Sequence, residues 1–221
     1  MGGIQSPDDV RTVIAADLVD TALAAERSQA ILDAAKQVGC LLKAAGHRFA
    51  VAGGVAAYAH GVLVPLGHDV DFCILREDAE AVAETLHRAG LPVYSPPEDW
   101  LIKSRCRDEA VDVIFEFARM PVDAPMLARA ETLSVDSAAL PVLAATDLLA
   151  GLLTAFSEHH CDFGAVLPIA RHVREKIDWP ALRARVGSAP MPAAFLYLLE
   201  RLEVIEPEDA GHSADPEGGR S

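Results

Sequence analysis

Apolar residues recur at helical spacing from Ser28 to Ala45, at Ile31, Ala34, Ala35, Val38, Leu41, Leu42 and Ala45, and Gly46 ends the run. The pattern predicts a helix with one face laid on a sheet. Upstream, Ser6-Pro7-Asp8-Asp9 reads as a helix start that continues to about Ala25, with a serine cap and with proline and acids in the first turn. The period then shortens. Arg48 to Ala52 is a brief, mostly apolar strand, and Asp69 to Leu75 alternates, with Val70, Phe72 and Ile74 on one face and Asp69 and Asp71 on the other. Between these strands lie Gly53-Gly54, a short helical stretch Val55 to His60, and a loop from Gly61 to His68.

Glu77 to Arg88, ending at Gly90, predicts another helix, and Leu91 to Tyr94 a short edge strand before Ser95-Pro96-Pro97. Trp100 to Cys106 and Ala110 to Phe117 flank the charged turn Arg107-Asp108-Glu109 and read as a hairpin. Pro121 to Leu140 reads as a connection with short irregular elements. From Leu143 the pattern is helical. Thr146-Asp147 caps a run to about Ser157, a second helix covers Phe163 to Lys176, a third follows Asp178-Trp179-Pro180, and a fourth spans Pro192 to Leu202. The polar, acidic residues 207–221 predict a disordered tail. The expected organisation is an N-terminal helical segment over 1–27, an α/β core over 28–140, a helical domain over 141–206 and the tail.

Composition narrows the picture. The 221 residues are 51% hydrophobic and 24% charged, enough for a sizeable core. No apolar run suits a membrane span and the N-terminus lacks a signal-peptide pattern, so the cytoplasm is the expected compartment. Cys40, Cys73, Cys106 and Cys161 are widely spaced, which suggests neither a disulfide framework nor a zinc ribbon. The net charge of −14 disfavours bulk nucleic-acid binding, although Lys103, Arg105 and Arg107, or Arg171, Arg174 and Lys176, could form a local basic patch.

Asp69 and Asp71 carry the first chemical signal. Two strand rises separate their Cα atoms by roughly 6.5 Å, and at an effective dielectric of ~20 the two charges repel by roughly 2 to 3 kcal/mol. A cation between them would relieve this, and hard ions such as Mg²⁺ use one or two carboxylates together with substrate phosphates. Gly53-Gly54, opening a helix, suits close approach of a phosphate. Asp112 interrupts the apolar strand Val111-Asp112-Val113-Ile114-Phe115, which calls for a site or solvent at that position. Glu116 shares its strand face. Lys103 and Arg105 alternate on the neighbouring strand, where they could steer a triphosphate or simply protect a strand edge. His60 and His68 flank the glycine and aspartate elements and could touch phosphate. Glu158-His159-His160-Cys161-Asp162 contains metal-ligand chemistry, but its adjacent residues point in different directions, so a polar inter-helix turn is the favoured reading.

The order strand, Gly-Gly, helix, loop, Asp-x-Asp, carried by Gly53, Gly54, Ala56, His60, Gly61, Asp69, Asp71 and Phe72, resembles the nucleotidyltransferase superfamily of the DNA polymerase β type. In particular it is similar to small bacterial members related to abortive-infection and toxin–antitoxin nucleotidyltransferases. The resemblance spans about residues 38–178 and implies an α/β (α+β) fold, a small mixed-sheet core followed by a helical half. It implies Mg²⁺ or Mn²⁺ held by Asp69, Asp71 and Asp112 as the catalytic set, with Gly53, Gly54, His68 and Lys103 at the nucleotide. The implied reaction moves a nucleoside monophosphate from an NTP to a hydroxyl on a protein, small molecule or RNA end, with a protein partner as a further expectation. Relatives often carry Arg-x-Thr before the first aspartate and a lysine in the first helix of the helical half. Here Pro65-Leu66-Gly67-His68 and Asp147 to Thr154 stand there instead. The alternative is a catalytically degenerate binding or regulatory protein of the same fold. A glycosyltransferase using Asp-x-Asp ranks last, since too short and too helical a stretch precedes Asp69.

Overall fold

The computed structural model describes residues 7–63, 65–67, 69–97, 99–117 and 120–207, with the side chains of 7–22 and of Phe117 left aside. Ser6, His68 and the tail beyond Pro207 therefore lie outside the described residues. The chain opens on one continuous helix, α1 (Pro7–Ala44), where the sequence suggested two. Nothing between Ala25 and Ser28 stops a helix, since alanine, glutamate and arginine all propagate one. Ile31, Ala34, Ala35, Val38 and Leu42 are fully buried on its sheet-facing side, while Leu41 is half-buried and Ala45 exposed.

The elements that follow are β1 (Ala50–Val51), α2 (Gly53–Ala59), β2 (Asp69–Cys73), α3 (Ala79–Arg88), β3 (Val93–Tyr94), β4 (Leu101–Cys106) and β5 (Glu109–Ile114). A small hairpin, β6 (Glu116–Phe117) and β7 (Met120–Pro121), leads to α4 (Ala124–Ala128), β8 (Glu131–Val135) and β9 (Ala138–Val142). Four helices complete the chain: α5 (Ala145–Thr154), α6 (Phe163–Val173), α7 (Trp179–Val186) and α8 (Pro190–Arg201). No described helix is long and apolar enough to cross a membrane.

The seven-stranded sheet has the order β3-β4-β5-β2-β1-β9-β8. β2 runs parallel to β5 and β1 parallel to β9, and the other neighbours are antiparallel. The β8–β9 hairpin falls where the sequence suggested an irregular connection. Its two-residue turn holds Asp136 at φ 53°, and Pro141 sits within β9 opposite Thr132. A proline inside a strand run ordinarily argues against a strand.

Alternation assigns the two faces of this mixed α/β sheet. Val51, Phe72, Val113 and Ile102 lie in one cross-strand row and are buried, and α1 and α3 pack over this side. Phe49 meets Phe72 edge-on at 5.8 Å between ring centroids. The opposite face carries Asp69, Asp71 and Asp112. The helical half has its own apolar centre in which Phe156, Phe163 and Phe195 meet at 5.2 to 5.9 Å.

Candidate active site

Strand register brings the carboxylates together. Asp71 on β2 pairs with Asp112 on the parallel strand β5, and Lys103 on β4 pairs with Asp112 from the other side. Directly opposed residues point the same way, so all three side chains stand on one face, with Asp69 two residues along from Asp71. Oxygen atoms of Asp69, Asp71 and Asp112 all lie within 4.8 Å of one another. The β-period placed Asp69 and Asp71 on one face, and the β2–β5 pairing adds Asp112.

The end of β1 closes against this cluster. Ala52 donates its N–H to the Asp71 carbonyl at 2.9 Å, and the chain then turns at Gly53, whose φ is +57°. A Cβ at Gly53 would lie 1.9 Å from Asp71 Oδ2. Both the left-handed backbone and the carboxylate therefore require glycine. Gly54 is less constrained, since a Cβ there would meet only Leu66 Cδ2 at 3.5 Å. Leu66 is buried and anchors the loop before β2, with its N–H donated to Ser28 Oγ at 3.1 Å.

Charge at the cluster is poorly balanced. Lys103 Nζ approaches the Asp112 oxygens at 3.2 and 3.4 Å, with the lysine side chain 50% exposed and the aspartate 13%. Burial and then the neighbouring Asp69 and Asp112 charges push the Asp71 carboxyl up to about 7, and Lys103 only partly opposes them. The three carboxylates form an oxygen-only donor set that suits a hard divalent cation. Cys73, two residues beyond Asp71, is fully buried. Burial, then Asp71 and Asp147, raise its thiol well above the usual value, so it packs and does not react.

Behind Asp71 a cavity of about 170 Å³ is lined by Ala52, Gly53, Leu143, Leu148, Leu152 and Ala155, with Gly151 and Asp71 completing its wall. Around it, Leu143 N–H donates to Val51 O, Ala56 N–H to Ala52 O and Ala155 N–H to Gly151 O. The cavity thus offers apolar contact on one side of the carboxylates.

The remaining sequence candidates disperse. Glu116 lies on β6, 3.6 Å from Arg76, whose guanidinium stacks 4.5 Å over Phe115. Arg105 is exposed on β4 and donates to the Asp108 carbonyl at 2.9 Å. β3 pairs with β4 at Ser104 and Lys103, and Arg105 lies beyond that pairing. His60 is buried at the end of α2 and its Nε2 donates to the Leu143 carbonyl at 2.8 Å. It ties α2 to the β9–α5 joint and does not face the carboxylates' open side. The stretch Glu158 to Asp162 is an exposed turn in which Asp162 Oδ1 caps α6 by accepting from Ala165 N–H at 3.0 Å. Among the described residues, the one cluster with metal-ligand spacing is Asp69, Asp71 and Asp112.

One charged residue was misread from the sequence. Asp147 does not cap α5, where Ala144 occupies that position without a side-chain bond. Its side chain is 1% exposed and pairs with Arg129 Nη2 at 2.8 Å and with Arg185 Nη1. A second bond runs from Arg129 Nε at 3.0 Å. The triad joins the loop after α4 to α5 and α7, and no local spacing announces partners this far apart in the chain.

No family model matches the sequence, and no curated protein matches it. Solved structures do. The crystal structure of the aminoglycoside nucleotidyltransferase ANT(2″)-Ia in complex with adenylyl-2″-tobramycin superposes with a TM-score of 0.50 at 11% identity, covering 73% of this chain and 94% of that chain. The solution structure of the same antibiotic-resistance factor gives 0.53 at 12% identity, covering 80% and 96%. The chain has the nucleotidyltransferase fold. At these identities the likeness concerns architecture, and it does not extend to the toxin-like subfamily or to an acceptor.

Proposed function

We propose that the protein is a metal-dependent nucleotidyltransferase that moves a nucleoside monophosphate from an NTP to an acceptor hydroxyl. The observation that carries this reading is the convergence of Asp69, Asp71 and Asp112 within 4.8 Å beside the Gly53 turn, on a nucleotidyltransferase fold. Asp69, Asp71 and Asp112 would hold a divalent cation of the Mg²⁺ or Mn²⁺ kind. Such an ion, when bound, supplies positive charge for phosphate oxygens and for a developing alkoxide.

The chain's own residues then have distinct tasks. Gly53 and Gly54 leave the backbone bare beside Asp71, so a phosphate can approach without meeting a Cβ. Asp112 can accept the proton of the acceptor hydroxyl at its carboxylate. Lys103, shared with Asp112, offers a cation to a phosphate at the outer side of the site. The cavity behind Asp71 presents mostly apolar surface on that side of the carboxylates. His68 keeps its assignment near the nucleotide as a proposal resting on the sequence pattern alone. The acceptor, a protein, small molecule or RNA end, supplies a free hydroxyl.

The test is transfer of label from α-phosphate-labelled NTPs in the presence of Mg²⁺, with cell extract as acceptor and Asp71→Asn as control. The reading expects labelled product from the native protein and none from the variant. Equal labelling by both, or none by either in folded preparations, would overturn it.

A further inference from the structure

The sheet face that bears the carboxylates is covered along one part and open along another. Leu101, Ile114 and Cys73 point to this face and are buried. Toward the other end of the same strands, Lys103 and Arg105 are exposed. Tyr94 stands opposite Lys103 on the edge strand β3 and is 54% exposed.

The register lays these groups out in two rows. Tyr94, Lys103, Asp112 and Asp71 cross four adjacent strands, and Arg105, Ala110 and Asp69 form the next row outward. Neighbouring strands are roughly 5 Å apart, so Tyr94 begins about two strands from Asp112. Ala110 leaves the space between Arg105 and Asp69 unfilled by any long side chain. The apolar cavity and Gly53 lie on the opposite side of Asp71. One side of the carboxylates is therefore a small apolar cavity, and the other is an open shelf with two cations and an aromatic ring.

The charge on the shelf is out of character for the protein. The chain carries a net −14, yet the shelf presents Lys103 and Arg105. Among the described residues Arg105 has a neutral carbonyl as its bonded partner. Lys103 is shared with Asp112 and Asp69 ends the Arg105 row, so the shelf is positive where the three carboxylates hold a divalent cation, and it then attracts an anion and repels a polycation. An extended nucleic-acid strand would meet a chain of net charge −14, which counterion release does not favour. A single phosphate-bearing molecule meets no such obstacle. An exposed tyrosine beside phosphate-binding cations is suited to a nucleobase, which stacks by its face and leaves its edges in water.

Resting on the transfer reading above, we propose that Tyr94, Lys103 and Arg105 form the acceptor site and that the acceptor is a free nucleotide. Its phosphate lies on Lys103 and Arg105, its base on the Tyr94 ring, and its sugar hydroxyl faces Asp112. In the reaction the hydroxyl oxygen bonds to the α-phosphorus of the NTP. The bond from that phosphorus to the bridging oxygen breaks, pyrophosphate leaves with the electron pair, and the hydroxyl proton passes to Asp112 and then to water. The product is a phosphodiester-linked dinucleotide that keeps the acceptor's own phosphate.

Calorimetric titration of AMP into full-length protein pre-saturated with Mg²⁺ and a non-hydrolysable ATP analogue tests this. Tyr94→Ala and Arg105→Glu alter exposed side chains, and each is expected to weaken AMP binding about tenfold or more, the scale of one lost stacking or charge-assisted contact. Tyr94→Ala, which removes no charge, should leave the affinity for the analogue within about twofold. Absence of AMP binding to the native protein, or AMP binding unchanged in both variants, overturns the acceptor site while the analogue still binds. A ten-residue oligoadenylate that binds more than about tenfold tighter than AMP replaces the free nucleotide with a strand, and spermine competing for the shelf replaces it with a cation. Failure of the analogue itself to bind in a Mg²⁺- and Asp71-dependent way overturns the transfer reading, and the acceptor assignment with it.

Discussion

Without a cation at the carboxylates, the protein should become more stable as the pH falls from 8 to 4, and Asp71 should account for the effect. Its carboxyl is held at about 7 in the folded chain, against an ordinary value of 3.8. The folded state thus binds this proton more tightly than the unfolded state does. Above pH 7 both states are ionised and the folded state bears the full repulsion and desolvation of the carboxylate. Between pH 7 and about 4 the folded state takes up a proton that the unfolded chain does not, so stability rises as pH falls. Below about pH 4 both are protonated and the difference levels off. A displacement of about three pH units corresponds to a ceiling on the order of 4 kcal/mol, reduced by whatever solvent reaches the half-buried group. The assay is urea unfolding at several pH values in chelator, for the native chain and for Asp71→Asn, taking the difference between the two at each pH. The native chain should gain on the variant by a few kcal/mol from pH 8 to pH 4. Mg²⁺ or Mn²⁺ at pH 8 should recover much of that gain in the native chain and little in the variant. A difference that stays flat across this range, with or without the ion, would refute the picture of Asp71 as a desolvated carboxylate crowded by Asp69 and Asp112.

Gly53→Ala should cost about 1 to 2 kcal/mol from the left-handed backbone alone, and more from the clash of its Cβ with Asp71 Oδ2. It should lower transfer activity at least tenfold, and a variant with native melting temperature and activity would contradict the close packing at this turn. Asp147→Ala leaves Arg129 and Arg185 without their buried partner. Because both arginines are partly exposed, the expected loss is about 2 to 3 kcal/mol, at the lower end for broken buried pairs, read by urea unfolding, whereas a loss under ~0.5 kcal/mol would argue against a structural role. Replacing His159, His160 and Cys161 together with alanine should leave Mn²⁺ affinity unchanged by calorimetry, since these residues sit on an exposed turn and do not belong to the carboxylate cluster; a marked loss would place a second ion there.

The carboxylate cluster was legible because strand chemistry is local. Alternation in Asp69 to Leu75 put two acids on one face, and an acid inside Val111 to Phe115 marked a third that only a neighbouring strand could bring near. The role of Gly53 was half legible: Gly-Gly announced a turn, whereas contact with the Asp71 carboxylate needed the β1–β2 pairing. Lys103 looked as much like an edge protector as a ligand group, because the covering strand β3 is only two residues long. The β8–β9 hairpin was hidden by Pro141 and by a two-residue turn that puts an aspartate in the left-handed region. Asp147 looked like a cap because acids favour first turns, and its two arginine partners lie 18 and 38 residues away. His60 passed for a helix end, which it is, but its bond to Leu143 spans 83 residues. Apart from the β8–β9 hairpin, whose signal was masked locally, what escaped the sequence was set by distant pairing.

The most direct test of the central claim is pyrophosphate release from NTP by the native chain and by Asp69→Asn, Asp71→Asn and Asp112→Asn, each with Mg²⁺ and with chelator, in the presence of acceptor. The account predicts release by the native chain that requires Mg²⁺ and falls at least a hundredfold in every variant, with all four proteins folded by circular dichroism. Release that persists in chelator, or that survives loss of any one of the three carboxylates, would contradict it.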